Sequence, residues 1–286
     1  MLTLLFDGIA YGMLLFVLSV GLAVTLGLMN FVNLAHGAFA MAGGYVTVLL
    51  MDRAGVPFLA TLPLAFGVPA LLGALAERTL YRRVYARPHL DHVLFSIGLV
   101  FMAVAAVDFV VGSQQQIIKL PAFLQGRFEV AGVGIGRYRL FIVVVCLTLT
   151  AALQIVLART RFGSRLRASV DDPRVAAGLG IDVNLVFSVT FTVGSGLAGL
   201  GGALGAEILG LDPTFPLKYM IYFLIVVSVG GTTTITGPLL ASLLLGIADV
   251  MGKYHVPKLG AFVVYTLMVL ILFFRPQGLF GRAAVK

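Results

Sequence analysis

Charged residues are scarce in this sequence of 286 residues. They account for 11% of the chain, whereas soluble domains average about a quarter. Hydrophobic residues account for 60%, and the mean hydropathy is +1.06. Apolar runs near the length that crosses a bilayer recur up to Phe274 and leave no stretch for a soluble domain. The composition therefore predicts an all-α, polytopic membrane protein with a single transmembrane domain, residues 1–286.

Features of secreted proteins are also missing. Cys146 is the single cysteine, so no intrachain disulfide can form. It lies in an apolar run. The N-terminus has no basic n-region, and the first apolar run passes signal-peptide length without an A-x-A-like site. We therefore expect the first span to be retained.

Three motifs of catalysis are absent: the Gly-x-x-x-x-Gly-Lys phosphate loop, the His-Glu-x-x-His metal pair and the nucleophile elbow. The run GSGLAGLGGALG at residues 194–205 superficially has nucleotide-loop spacing, but it does not follow a strand. Gly194, Ala198 and Gly202 instead predict a ridge of small residues for close helix packing. We expect no catalytic residue, metal or cofactor in this chain, and no ATP hydrolysis by it.

The apolar runs and the charge clusters between them predict about nine membrane segments. The second, seventh and eighth are short, as expected of discontinuous helices whose freed backbone is buried in protein or lines a cavity. The predicted segments are residues 3–26, 37–51, 57–80, 92–112, 138–158, 185–210, 217–230, 236–252 and 259–274.

Arginine and lysine are concentrated at residues 78–87, 159–174 and 275–286. This distribution predicts that the three stretches are cytoplasmic. With an odd number of segments, it places the N-terminus outside and the C-terminus in the cytoplasm. The net charge of +8 lies mainly in such links and not on a continuous basic face, which argues for a lipid environment and against nucleic-acid binding.

A polar interruption, GLMNFVNLAHGAFAMAGG, lies at residues 27–44. Asn30, Asn33 and His36 are spaced three apart, so a continuous helix would bring them near one face. Polar side chains in hydrocarbon need a partner or water. One interpretation makes them interhelical hydrogen-bonding groups; the other makes them, with Gly37, part of a broken helix that lines a solute path.

Three carboxylates, Asp108, Glu207 and Asp249, lie within apolar runs near the predicted outer ends of their segments. They either sit at the membrane interface or take part in ion transfer, which would require them to be close together. An ion-coupled secondary transporter that uses Glu207 and Asp249 is therefore an alternative function.

The link at residues 159–184 contains TRFGSRLRASVDDPRVAAGLGIDV. Asp172 before Pro173 predicts a capped helix start, and Gly178 and Gly180 predict its end after about two turns. A short helix exposed at a membrane surface is either a docking element for another protein or a plain positively charged connection.

This link resembles the coupling loop of permeases of ATP-binding-cassette importers, specifically the branched-chain amino-acid permease family. The Asn33-Leu34-Ala35-His36-Gly37 stretch is similar to the family's N-A-H-G element. Further similarity lies in residues 77–99, 229–250 and 275–282. The resemblance extends from Gly27 to Arg282.

The resemblance implies an importer permease fold in the cell inner membrane. It implies a second, related permease subunit, two cytoplasmic ATPase subunits, an external substrate-binding protein and a small-molecule solute, with ATP used only by the partners. It places Asn33, His36 and Gly37 beside the solute path. The residues that it implies for ATPase docking are Gly163, Arg167, Asp171, Asp172, Pro173, Ala176 and Gly180.

The sequence departs from the family pattern at two places. Thr232, Thr233 and Thr234 stand in a link that is commonly Gly-x-Gly-Ser-x-x-Gly, and Ala38 stands where an acidic residue is frequent. The expected substrate is a branched-chain or other hydrophobic amino acid. The family also includes carriers of amides, urea and aromatic acids, which these departures keep as alternatives.

The predicted orientation can be tested with single cysteines at Ser164 and Ser169 in a Cys146→Ala background. Both thiols should react with a membrane-impermeant maleimide only in inside-out vesicles, because the link is predicted to be cytoplasmic. Labelling only from the outside would reverse the topology.

Overall fold

The computed structural model describes residues 1–286 except 30, 32, 86, 131–132, 232–234, 276–277 and 280–286. Within the described residues the chain forms eleven α-helices: α1 (Leu2–Met29), α2 (His36–Ala54), α3 (Phe58–Thr79), α4 (His89–Val111), α5 (Arg137–Arg159), α6 (Arg161–Asp171), α7 (Pro173–Gly178), α8 (Val183–Leu209), α9 (Phe215–Gly230), α10 (Thr236–His255) and α11 (Gly260–Phe274).

Short elements lie in the links between these helices. Strands β1 (Arg127–Val130) and β2 (Val133–Gly136) form an antiparallel hairpin before α5. Three 3₁₀ helices, counted over the part of the chain that the structure describes, lie at Tyr81–Arg83, Ala122–Leu124 and Pro257–Leu259. The hairpin was not predicted from the sequence, because its strands of four residues are too short to show an alternating pattern.

A helix lies at each of the nine predicted segments. Among the described residues, five stretches are long and apolar enough to cross a membrane: Leu2–Gly27, Phe58–Arg83, His89–Val111, Arg137–Arg159 and Val183–Leu209. Two shorter apolar helices cover Phe215–Gly230 and Phe262–Phe274. The polytopic, all-α class is confirmed, whereas the count of nine crossings stays a prediction.

Helix α8 occupies the centre of the bundle and packs against α1, α2 and α3. Every residue from Gly194 to Ala206 is buried. A Cβ atom built at Gly202 would overlap the carbonyl oxygen of Ala40, and one at Gly43 would overlap that of Gly199. The predicted ridge of small residues is therefore confirmed, and it brings the backbones of α2 and α8 into direct contact.

The outer helices differ sharply from the central ones in burial. The most apolar stretch of α1 is 83% buried within the chain, whereas those of α4 and α5 are 11% and 17% buried. Helix α1 is thus a core element. Helices α4 and α5 present long apolar surfaces to their surroundings, such as Phe101 and Phe109 on α4 and Val144 and Ile155 on α5.

The close approach at Gly202 can be tested by adding one methyl group. Gly202→Ala should lower the free energy of unfolding by about 1–3 kcal/mol, because overpacking against a backbone carbonyl cannot be relieved by a rotamer change. Thermal unfolding is followed through the buried Cys146 thiol with a fluorogenic maleimide.

Gly98→Ala on α4 is the matched control, because a Cβ there meets no atom of the described residues within 4 Å. Its melting temperature should stay the same or rise slightly, since alanine is the better helix former. Equal melting temperatures for the two variants would contradict the close-packing account.

Candidate functional site

The polar interruption is a break between two helices. Helix α1 ends at Met29 and α2 begins at His36, so Asn33 and His36 do not share one continuous helix. Asn33 is 1% exposed and His36 is 2% exposed. Asn30 lies outside the described residues.

Both buried side chains have hydrogen-bond partners inside the chain. The Tyr81 hydroxyl donates to Oδ1 of Asn33 at 2.8 Å. Nε2 of His36 donates to the carbonyl oxygen of Leu18, in the middle of α1, at 2.9 Å. These bonds are the kind that the interhelical interpretation requires, because they remove the penalty for polar groups buried away from water.

Gly37 allows α2 to start close to α9. A Cβ at Gly37 would lie 3.0 Å from Cα of Pro216, tighter than ordinary van der Waals contact. The ring of His36 also meets the ring of Phe223 on α9, with centroids 6.3 Å apart. The break therefore lies between α1, α9 and the 3₁₀ helix that carries Tyr81.

An aromatic cluster joins this break to α8. Phe31, Tyr81 and Phe191 are all buried. The ring centroids of Tyr81 and Phe191 are 4.7 Å apart, and those of Phe31 and Tyr81 are 5.3 Å apart. Tyr81 thus contacts Asn33 through its hydroxyl and α8 through its ring.

A buried carboxylate, Glu77 at the end of α3, ties the same region to the start of α8. It is 1% exposed and pairs with Nε of Arg82 at 3.0 Å. The Ser188 hydroxyl on α8 donates to its second oxygen. Sequence reasoning missed Glu77; the available signal was an acid at the end of an apolar run, five residues before an arginine.

The hydroxyl of Tyr85 also lies against Glu77, at 3.4 Å. Burial and the neighbouring carboxylate raise the pKa of Tyr85 above its ordinary value. The phenol therefore stays protonated and acts as a hydrogen-bond donor to Glu77.

The link after α5 contains two helices where one was predicted. Helix α6 was not foreseen, because its arginines suggest a basic connection, yet it buries Leu166 and Ser169 along one face. A Cβ at Gly163 would overlap the carbonyl oxygen of Leu157, and the Arg167 guanidinium donates to that same oxygen. Gly163 and Arg167 thus fasten α6 to the end of α5.

Helix α7 begins as its sequence predicts. Oδ1 of Asp172 accepts hydrogen bonds from the backbone N–H groups of Arg174 at 2.8 Å and Val175 at 3.0 Å, and Pro173 occupies the first turn. Gly180 follows the helix with φ of +83°, a conformation that favours glycine.

The exposed part of this region is apolar. Ala176 is buried, but Val175 is 58% exposed and Leu179 is 77% exposed. Asp171 and Asp172 are exposed beside them. Sequence reasoning did not single out Val175 and Leu179, because exposure on so short a helix cannot be read from its periodicity.

The structure corrects one labelling position. Ser164 is exposed, whereas Ser169 is fully buried and its hydroxyl donates to the carbonyl oxygen of Arg165. Ser169 is therefore a wrong choice for surface labelling, and the topology test depends on Ser164.

The three intramembrane carboxylates have different environments. Asp108 and Glu207 are exposed. Asp249 is 2% exposed and pairs with Nζ of Lys253 at 2.6 Å. Within the described part of the chain, no three His, Cys, Asp or Glu residues come together as metal ligands.

Comparisons with known proteins agree with the resemblance noted in the sequence. The family model for the branched-chain amino acid transport system permease component matches residues 4–272. The chain is 28% identical to the high-affinity branched-chain amino acid transport system permease protein BraD of Pseudomonas aeruginosa, over 99% of the chain and 96% of BraD.

Two permease proteins of Escherichia coli are also similar. The chain is 25% identical to LivH, over 99% of the chain and 96% of LivH. It is 26% identical to LivM, over 93% of the chain and 68% of LivM. No solved structure matches the chain significantly. The family match over nearly the whole chain and the helices long enough to cross a bilayer show that this is a multi-pass membrane protein of the branched-chain amino acid transport permease family.

Proposed function

We propose that this chain is a transmembrane permease subunit of an ATP-driven importer whose substrates are branched-chain amino acids. The observation that carries the proposal is the family match to residues 4–272, supported by near full-length similarity to BraD and LivH. An ion-coupled secondary transporter gains no support from these relatives.

The same comparisons support a second permease subunit. The chain is similar both to LivH and to LivM, two different permease proteins of one organism. A pair of related but distinct permeases would enclose the solute path between them, with a substrate-binding protein at the outer face. The N-terminus lies outside and the C-terminus in the cytoplasm.

The α6–α7 region is the docking site for the ATPase subunits in this proposal. Val175 and Leu179 form an exposed apolar tip, and the capping carboxylate of Asp172 fixes the direction of α7. Gly163 and Arg167 hold α6 on α5, so a force applied at the tip reaches a membrane helix without bending the link. The proposed docking site also includes Asp171, Pro173, Ala176 and Gly180.

The motion is transmitted through α8. Residues 179–182 separate α7 from α8, and Asp182 caps α8 by accepting from the backbone N–H of Leu185 at 2.9 Å. From α8, Phe191 contacts Tyr81, which bonds to Asn33 at the break. Closure of the ATPases thus tilts α5 and α8 and displaces the break.

The break borders the solute path in this scheme. The wall of the path is formed at the break by Asn33, His36 and Gly37. Their neutral polar groups suit a zwitterion better than an ion with net charge. A displacement of α8 changes the hydrogen bonds that hold this wall, and the path opens to the other side of the membrane.

The docking site can be tested with Leu179→Asp in the complex of this chain with its second permease and ATPases. A carboxylate at the tip should abolish co-purification of the ATPases, because burying it in an apolar interface is unfavourable. ATP-dependent leucine uptake into proteoliposomes should be lost as well.

Ile117→Asp is the matched control, since Ile117 is 76% exposed and lies between α4 and α5, outside every predicted membrane segment and far along the chain from α7. It should retain both the ATPases and uptake. ATPase binding that survives Leu179→Asp would contradict the docking assignment. A wild-type complex that takes up no branched-chain amino acid would contradict the proposed function.

The role of the break can be tested with His36→Ala. Loss of the hydrogen bond to Leu18 should lower leucine uptake by about tenfold, as expected for one buried hydrogen bond, while the complex still assembles. His36→Gln keeps a donor and should restore most of the uptake. Loss of assembly without a separate effect on uptake would show that His36 only supports packing.

A further inference from the structure

Two cavities adjoin at the end of the bundle where α1, α5 and α9 begin and α8 and α10 end. Their volumes are about 330 Å³ and 470 Å³. They share the side chains of Asp7, Arg139 and Ile208, so they form one basin. In the predicted orientation this end faces outward, away from α7.

Groups of both charge signs line the basin. The smaller cavity has Asp7 and Asp249 with Arg139, Lys218 and Lys253. The larger one adds Glu207 and Arg127. Two of the carboxylates that the sequence singled out, Glu207 and Asp249, thus line neighbouring cavities. Such a mixture suits a ligand that carries both charges.

In the two ion pairs that line the smaller cavity, the acid is more deeply buried than the base. Asp249 is 2% exposed and its partner Lys253 is 53% exposed. Asp7 is 13% exposed and its partner Arg139 is 36% exposed. In both pairs the carboxylate lies at the floor and the cation at the rim.

A third ion pair supplies another cation at the rim, because Lys218 lines the smaller cavity while its partner Asp212 lines neither. Lys218 is 56% exposed and pairs with Asp212, which is 17% exposed. Burial raises the pKa of Asp212, but hydrogen bonds from Lys218 and Thr214 outweigh that effect and hold it below its ordinary value. This carboxylate is therefore ionised at neutral pH, and it keeps Lys218 at the mouth.

The remaining lining of the smaller cavity is apolar or aromatic. Ile208, Leu209 and Val250 lie beside the rings of Tyr11 and Tyr222. The Tyr222 hydroxyl donates to Oδ1 of Asp249 at 3.4 Å, and Nζ of Lys253 lies 5.8 Å from the centroid of the Tyr11 ring. A branched aliphatic side chain can pack on this wall while the charged groups bind the rest of the ligand.

We infer that this basin is a binding site for zwitterionic amino acids within the permease, in which the α-ammonium group binds the acids at the floor and the α-carboxylate binds the cations at the rim. The inference rests on the proposed function for the substrate class, and it adds a solute site in this chain besides the break.

When the ligand binds, two ion pairs with the ligand replace the pair between Asp249 and Lys253. The ammonium group enters against Asp249 while the α-carboxylate takes over Lys253, whose exposed side chain can turn toward the mouth. The buried carboxylate is never left without a cation, so entry avoids the penalty for an unpaired buried charge. A ligand that lacks either charge cannot make both replacements.

The test is equilibrium binding of radiolabelled L-leucine to the permease pair in nanodiscs, without binding protein or nucleotide. Leucine should bind saturably. Leucinamide, which lacks the carboxylate, and isocaproate, which lacks the ammonium group, should each compete about tenfold less well, the loss expected for one charge-assisted hydrogen bond. Equal competition by either analogue, or no saturable binding, would overturn the inference.

Lys253→Gln should weaken leucine binding by about tenfold. Lys258→Gln removes the same charge from an exposed lysine that lines neither cavity, and binding should be unchanged. Because Lys253→Gln leaves Asp249 unpaired, the double variant with Asp249→Asn restores neutrality; it should fold and still bind leucine weakly. Equal binding by Lys253→Gln and Lys258→Gln would overturn the inference.

Two outcomes separate the inference from the proposed function. A full complex that imports leucine with ATP, while the permease pair alone binds none, keeps the function and overturns the site. A Lys253→Gln variant that loses only stimulation by the binding protein, with leucine binding intact, identifies the basin as a protein-docking surface and overturns the site as well.

Discussion

The close packing of α8 is the constraint on which the rest of the structure depends. Its small residues bring the backbone into contact with α1 and α2, and Gly202 and Gly43 leave no space for even one methyl group. A helix packed in this way cannot bend locally, because any local shift would overlap a neighbouring backbone. Helix α8 and its neighbours therefore form one rigid unit, and a displacement at the start of α8 would be transmitted along its length.

Buried polar groups connect α8 to the rest of the bundle at two places. Glu77 bonds to Ser188 near the start of α8, and Tyr81 connects Phe191 to Asn33 at the break. In an apolar bundle each such group must be satisfied inside the protein. The hydrogen bonds of Glu77 and Asn33 therefore also connect the start of α8, which follows α7, to the break between α1 and α2.

The sequence predicted the local features well. The Asp172–Pro173 start of α7 follows from capping chemistry, and the ridge of small residues follows from the spacing of Gly194, Ala198 and Gly202. Contacts between helices could not be predicted from the sequence. The carbonyl of Leu18 as partner of His36 and the burial of Glu77 depend on how helices cross, which no periodicity encodes. The pairing of Asp249 with Lys253, by contrast, joins residues four apart on α10 and could have been read from their spacing. Helix α6 was missed because its arginines obscured its buried face.

We propose that this chain is a passive gate, which the ATPase subunits move from the cytoplasmic side through α7 and α8. The most direct test is leucine accumulation in proteoliposomes that contain the permease pair and the binding protein, with and without the ATPase subunits, at saturating ATP. We predict uphill accumulation only when the ATPases are present, and none from a proton or sodium gradient alone. Uphill accumulation without the ATPases would contradict it.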